Sequence, residues 1–298
     1  MRTICVDLGG SRVKLAAVED GRIVAGEIFP VAGRAWSETR VELESRIRAL
    51  KERLAGPWRG LGFASPGVID ERRGVLTSSN AQHAGLEGFD LSAWARRTFD
   101  LEIRVLNDAR AALIGELNYG CARGERNAVM LILGTGVGTS VVCEGRILRG
   151  THYSAGLLGG FLPVQFDGGR PGCGGEGYLE AYVGTWGLRE MTGDPTYDYA
   201  RLAAEYAAGE ARAQRIFATV SAALGAGTLA LVHLCDAETV IYSGGVSHFR
   251  PLVEAAKAYV MKRAWTPWGK LRFAVAENPE ASVTLGLHAL FAERAFLG

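Results

Sequence analysis

"NAVMLILGTGVGTSVVCEGRILRGTHY", residues 127–153, carries an apolar strand into a Gly-Thr-Gly turn, continues through a second apolar stretch, and turns at Glu144-Gly145 into a third. Residues 2–31, "RTICVDLGGSRVKLAAVEDGRIVAGEIFPV", follow the same plan. There an apolar strand ends in Asp7-Leu8-Gly9-Gly10, an alternating strand follows, and Asp20-Gly21 makes the tight turn into the next. An acid–glycine pair between two apolar runs is a hairpin signal, because the favoured two-residue turns need positive φ. The chain therefore contains an internal duplication of a strand–glycine turn–strand–turn–strand unit.

Outward from these two stretches, apolar residues at three- and four-residue spacing predict helices over 37–54, 91–99, 109–122, 177–190, 198–208, 210–234, 251–263 and 282–297. Short strands at 60–65, 102–106, 239–243 and 272–275 alternate with them. The expected fold class is α/β, with two lobes that each hold a mixed sheet flanked by helices. At 298 residues the chain is long enough for two such cores.

Hydrophobic residues make up 48% and charged residues 22%, the balance of a soluble globular protein. Thirty-three basic and 32 acidic residues leave a net charge of +1, so no partner is expected among nucleic acids or membranes. The opening "MRTICVDLGG" enters an apolar run too short for a signal peptide or a membrane span, which predicts a cytoplasmic protein. Five scattered cysteines (Cys5, Cys121, Cys143, Cys173 and Cys235) without CxxC pairing fit reduced thiols rather than a disulfide framework.

Two glycine turns, one per lobe and facing across a cleft, would present backbone N–H groups to one anionic ligand. "GTGVGTS" lacks the lysine of a P-loop. A strand rather than a helix follows it, which argues against a dinucleotide-binding fingerprint.

Six blocks in order, "DLGGSRVK" (7–14), "GFASPGVID" (62–70), "LNDARAA" (106–112), "LGTGVGTSVV" (133–142), "GYLEAY" (177–182) and "YSGGVS" (242–247), resemble the ROK family of repressors, open reading frames and sugar kinases. The resemblance implies a two-lobed, actin-like or hexokinase-like ATPase fold, with lobes at 1–108 plus 285–298 and at 109–284. It implies a sugar kinase that uses ATP and Mg2+ on a hexose or N-acylhexosamine, and a homodimer. Lobe closure would hinge near 107–125 and 280–286. A repressor would need a helix-turn-helix ahead of a phosphate loop that starts here at residue 7. A sugar-binding protein with weak or no kinase activity is the remaining alternative.

By the same resemblance, Gly9, Gly10 and Ser11 approach the terminal phosphates, and Asp7 holds Mg2+ through water; on its own, Asp7 also reads as a turn residue. Lys14 reads either as a phosphate contact or as a solvated strand residue. Gly134, Thr135, Gly136 and Gly138 form the second phosphate loop, while Gly244 and Gly245 make room for the nucleotide or simply turn a strand into a helix. Spacing alone makes Asp108 a helix N-cap. The resemblance makes it the general base, with Asn107, Glu180, Asn80, Ser65 and Gly67 around the sugar.

Zinc-bearing members of that family carry "GEIGH" followed by "CxCGxxGCLE". Here "AGLLGG" (155–160) and "PGCGGEGYLE" (171–180) place Gly160, Pro171 and Tyr178 at three ligand positions, and only Cys173 keeps a ligand atom. One ligand of four cannot hold structural zinc, so none is expected. Packing of Phe161, Phe166, Pro171 and Tyr178 is expected to brace the loop instead. The family's sugar-binding glutamate falls on Leu157, which removes a polar contact together with Gly160; His152 or Tyr153 could compensate.

Overall fold

In the computed structural model, which describes residues 1–79, 83–166 and 177–292, the duplication is visible strand by strand. The first unit opens with β1 (Arg2–Leu8), β2 (Arg12–Glu19) and β3 (Arg22–Pro30), paired antiparallel. After α1 (Trp36–Arg53), β4 (Gly60–Ser65) pairs parallel with the free side of β1. A hairpin of β5 (Val68–Asp70) and β6 (Val75–Ser78) follows, then α2 (Leu91–Phe99), β7 (Ile103–Asn107) parallel to β4, and α3 (Asp108–Tyr119). The main sheet order is β3-β2-β1-β4-β7.

The second unit repeats it with β8 (Ala128–Leu133), β9 (Val137–Cys143) and β10 (Arg146–Ile147). A 3-10 turn (Leu158–Phe161), α4 (Leu179–Val183), α5 (Thr185–Thr192), α6 (Tyr199–Ala207) and α7 (Ala211–Cys235) lead to β11 (Thr239–Ser243). A second 3-10 turn (Gly245–His248), α8 (Arg250–Arg263) and β12 (Arg272–Val275) complete the order β10-β9-β8-β11-β12. The chain then returns to the first unit as α9 (Pro279–Ala289).

The elements form where the spacing placed them, for local reasons. In α1 the buried positions Trp36, Thr39, Leu43, Ile47 and Leu50 repeat every three or four residues and line one face. Each large apolar side chain buried there contributes about 1.5–3 kcal/mol. Trp36 packs edge-on against Phe63, Phe89 and Trp94 at 5.5–6.0 Å between centroids, which seats α1 and α2 on β4. The α7 segment is long and apolar enough to cross a membrane by composition, but Val220, Leu224, Leu231 and Val232 lie in the core of the second unit.

Several boundaries differ from expectation: the helix expected over 282–297 runs from Pro279 to Ala289, and that expected over 109–122 ends at Tyr119. The helix expected over 177–190 breaks at Gly184, because the Thr185 and Trp186 N–H groups donate to the Gly134 and Thr135 carbonyls (3.0 and 3.3 Å) instead of continuing one helix. The lobe boundary expected after residue 108 lies after Arg123: the first unit comprises 1–123, 149–155 and 280–298. Side-chain bonds explain this. On α3, Arg110 donates to Glu71 (2.9 Å), and Ser282 of α9 donates to Glu116 (2.5 Å). Arg149 donates to Glu71 (2.7 Å), which ties 149–155 to the same unit.

Candidate functional site

Parallel register in the first unit sets three strand ends side by side. Asp7 of β1 lies level with Ala64 of β4, and Ser65 of β4 lies level with Asn107 of β7. Asp7, Ser65 and the Asn107-Asp108 pair thus gather at the carboxyl edge of the sheet, where open α/β folds bind ligands. Asp7 is partly buried, and burial raises its pKa above the usual carboxylate range despite Lys14 Nζ at 3.7 Å. Burial, and then the charge of Asp7, push Asp108 up to about 6. Two carboxylates that resist ionisation together at a strand edge are chemically poised: one can accept a proton near neutral pH.

The cap assignment changes. Asn107, not Asp108, is the N-cap of α3, since its Oδ1 accepts from the Ala109 and Arg110 N–H groups (2.9 and 3.3 Å). Its extended backbone at the end of β7 aims the short amide into the first helical turn. Nδ2 donates to the Gly67 carbonyl (3.0 Å), so the amide expected to use both its donor and its acceptor on sugar is mostly engaged within the protein. Asp108 Oδ1 accepts from Ala109 N–H (2.9 Å), which fixes the carboxylate's direction. Ser65 is buried and its Oγ donates to the Pro66 carbonyl (3.2 Å). Gly10 and Ser11 are exposed between β1 and β2, while Gly9 N–H closes their turn on the Arg12 carbonyl (3.0 Å). Lys14 sits between Asp7 and Glu280 (2.5 Å), so it is neither a solvated strand residue nor a free cation. Asn80 lies outside the described residues.

Sequence reading missed two groups here. His83 is buried, and its Nε2 lies 3.1 Å from the Gly9 carbonyl; it therefore supports the first glycine turn. Glu71 joins Arg110, whose side chain is fully buried two residues after Asp108, to Arg149. Arg110 also donates to the Ala155 carbonyl (3.1 Å). Segment 149–155, which carries His152 and Tyr153, is thereby fastened to the helix that begins at Asp108. An arginine on an otherwise apolar helix face was the available signal.

In the second unit, the turn between β8 and β9 and the turn after β11 lie at one sheet edge, because β8 and β11 are parallel and Ser243 is level with Ile132. Thr135 and Gly245 are exposed there, and Gly245 faces open space. Gly138 lies inside β9, paired with Ile132, and not in the turn. Gly244 has φ +82°, and a Cβ there would stand 2.3 Å from the Leu133 carbonyl oxygen, so only glycine fits. Glu180 Oε2 accepts from Val137 N–H (2.8 Å) and Oε1 from Trp186 Nε1 (3.2 Å). Both oxygens of this expected sugar ligand brace the second glycine turn.

A family model for ROK proteins matches residues 3–294. The chain belongs to the ROK family. The N-acetylmannosamine kinase of Salmonella typhi is 30% identical, over 88% of this chain and 89% of that one. A glucokinase of Halalkalibacterium halodurans is 28% identical, over 87% and 86%. Among solved structures, the ROK hexokinase from Thermus thermophilus is 26% identical with a TM-score of 0.81, covering 98% of each chain.

Against the ROK pattern, the altered loop is closed by backbone packing. A Cβ on Gly160 would stand 2.4 Å from the Val137 carbonyl oxygen, so the family histidine has no room at this position. Thr139 Oγ1 donates to the Gly156 carbonyl and accepts from Gly159 N–H (2.8 and 2.9 Å), drawing the loop onto β9. The expected aromatic brace is smaller than anticipated. Phe161 packs edge-on against Tyr178 at 5.8 Å, but Phe166 is fully exposed. Pro171 and Cys173 lie outside the described residues.

Proposed function

We propose that the protein is an ATP- and Mg2+-dependent sugar kinase that phosphorylates a hydroxyl of a hexose or N-acylhexosamine, with Asp108 as general base. The observation that carries this is the environment of Asp108, a carboxylate with a pKa near 6, oriented by a helix-terminal amide at a strand edge. A sugar hydroxyl is a weak nucleophile until its proton can leave. Asp108 accepts that proton as the oxygen attacks the terminal phosphorus and the nucleoside diphosphate departs. The kinase names of relatives that share most of their length with this chain support the same reading.

Asp7 is the residue to hold Mg2+, through water. Its fit rests on two carboxylates held above the usual range, Asp7 by burial and Asp108 by burial and then by the charge of Asp7, a crowding of negative charge that a divalent cation relieves. When bound, the ion screens the charge of the phosphates. Gly9, Gly10 and Ser11, and in the second unit Gly134, Thr135, Gly136, Gly244 and Gly245, serve the nucleotide. Among the described residues no cluster of three or more His, Cys, Asp or Glu side chains could hold a metal on its own.

A second reading, a ROK sugar-binding protein with little kinase activity, is favoured by the engaged oxygens of Glu180 and Asn107 and by the apolar Leu157. A coupled ADP-release assay over glucose, mannose, their N-acetyl amines and β-glucosides separates the two. Sugar-dependent ADP release is the expected result. Sugar binding without it would replace the kinase reading with the second one.

A further inference from the structure

The second unit carries a pocket that the kinase reading does not use. It lies where β11 and β12 begin: Asp236 precedes β11 by three residues, and Trp268 precedes β12 by four. The two strands are parallel, so this is the sheet edge opposite the glycine turns 134–136 and 244–245. Five residues of β11 separate the edges, about 16 Å at strand rise. The pocket encloses about 300 Å³, enough for a monosaccharide, and the end of α7 forms one wall.

Its lining has a particular chemistry. Of the six tryptophans in the chain, Trp36 and Trp94 are buried and Trp58 and Trp186 half-buried. The other two, Trp265 and Trp268, are 78% and 45% exposed and share this pocket. Leaving two indoles in water forgoes burial that a core tryptophan gains, which marks them as contact surface. They are held in place: Pro267 stands between them, Gly269 N–H closes the turn on the Thr266 carbonyl (3.1 Å), and Trp265 N–H donates to His233 Nε2 (3.0 Å). That last bond leaves the neutral imidazole's Nδ1–H as a donor. Asp236, in left-handed backbone at the end of α7, supplies a carboxylate acceptor, and Thr266 a hydroxyl. None of the lining residues is Lys or Arg, so a phosphate or another anion has no counter-charge there.

Two apolar ring faces, two indole N–H donors, an imidazole donor, a hydroxyl and one carboxylate complement a neutral polyol that has apolar C–H faces and hydroxyl edges. We infer that this pocket is a second sugar site, for an uncharged pyranose, apart from the acceptor site proposed above. It requires no chemistry at Asp108 and stands or falls independently of the kinase reading.

The test is indole N–H NMR of the full chain, with Trp→Phe variants assigning the resonances. Titration with D-glucose, N-acetylmannosamine or methyl β-D-glucopyranoside should move the Trp265 and Trp268 signals with a Kd of about 1 mM. Trp265→Ala and Asp236→Asn should each weaken that binding about tenfold, with turnover at the proposed acceptor site unchanged. Glucose 6-phosphate should bind more weakly than glucose. The inference is overturned if these two signals stay still up to about 50 mM sugar, far above the expected Kd. It is equally overturned if choline moves them and sugars do not, or if Trp265→Ala dissociates an oligomer while sugar binding is unaltered.

Discussion

Replacing Asp108 with asparagine should abolish most turnover and, at the same time, make the protein more stable. The folded-state pKa is raised to about 6 by burial and then by Asp7, against about 3.9 in an unfolded chain. For a carboxylate raised in this way, the folded state binds the proton more tightly. Its stabilisation is complete below about pH 4 and is lost as pH rises through 6. Two pH units correspond to about 3 kcal/mol at about 1.4 kcal/mol per unit. At pH 8 the wild type pays this cost in full, and a neutral amide of the same shape removes much of it. Catalysis runs the other way. With a base of pKa about 6, roughly nine-tenths is ionised at pH 7 and one-tenth at pH 5, so kcat/KM falls about tenfold for each unit below pH 6. Asp108→Asn should lose about 10²–10⁴-fold in rate and the acid limb with it. Coupled ADP-release kinetics and urea unfolding of both proteins at pH 5 and pH 8 supply the readouts. An amide variant with near-normal turnover, or one no more stable than wild type at pH 8, refutes the reasoning.

Three further outcomes follow from other parts of the molecule. Glu71→Gln leaves Arg110 and Arg149 without their shared carboxylate and should cost about 3–5 kcal/mol; a urea-derived loss under about 1 kcal/mol would mean the cluster is not stabilising. His288 accepts from Gly21 N–H and donates to Thr3, and burial lowers its pKa, so stability should fall as pH drops through about 6.5. Between about pH 7.5 and 5.5 the wild type should therefore lose more stability than His288→Gln, and an equal loss in both would refute this. That sign is opposite to the Asp108 effect, so each is read as a difference from its own variant. Gly160→His should destabilise by about 1–3 kcal/mol through crowding on Val137 and should take up no zinc by elemental analysis. A stoichiometric metal in that variant would show that the loop can reopen.

Much of the architecture was legible because it is written in local signals. The acid–glycine turns, the apolar run of β4 and the three–four spacing of α1 each report on neighbours a few residues away. Side-chain partnerships were harder to read. Asp108 and Asn107 are both good caps by type, and only the geometry at the end of β7 gives the cap to Asn107. Glu180 reads as a ligand by type, and its oxygens meet the Trp186 indole six residues on and Val137 N–H, the latter a contact that depends on how the chain closes over 43 residues. The Glu71–Arg110–Arg149 cluster joins positions 39 and 78 apart, and no periodicity encodes such a meeting. The unit boundary was misplaced for the same reason, since these bonds assign α3 and 149–155 to the first unit.

The split composition of the first unit sets an order of assembly during synthesis. Its sheet is complete once β7 emerges, but Gly62 lies under Leu287, and Thr3 bonds His288, 285 residues later. On the ribosome, therefore, the second unit has all its strands before α9 exists to cover the first. Until then the small-residue face of β1 and β4 that carries Thr3, Gly60 and Gly62 lacks its cover, and joining it to α9 is a long-range closure that slows folding. A released chain truncated before residue 279 should leave that face uncovered, while the full-length chain should bury it under α9.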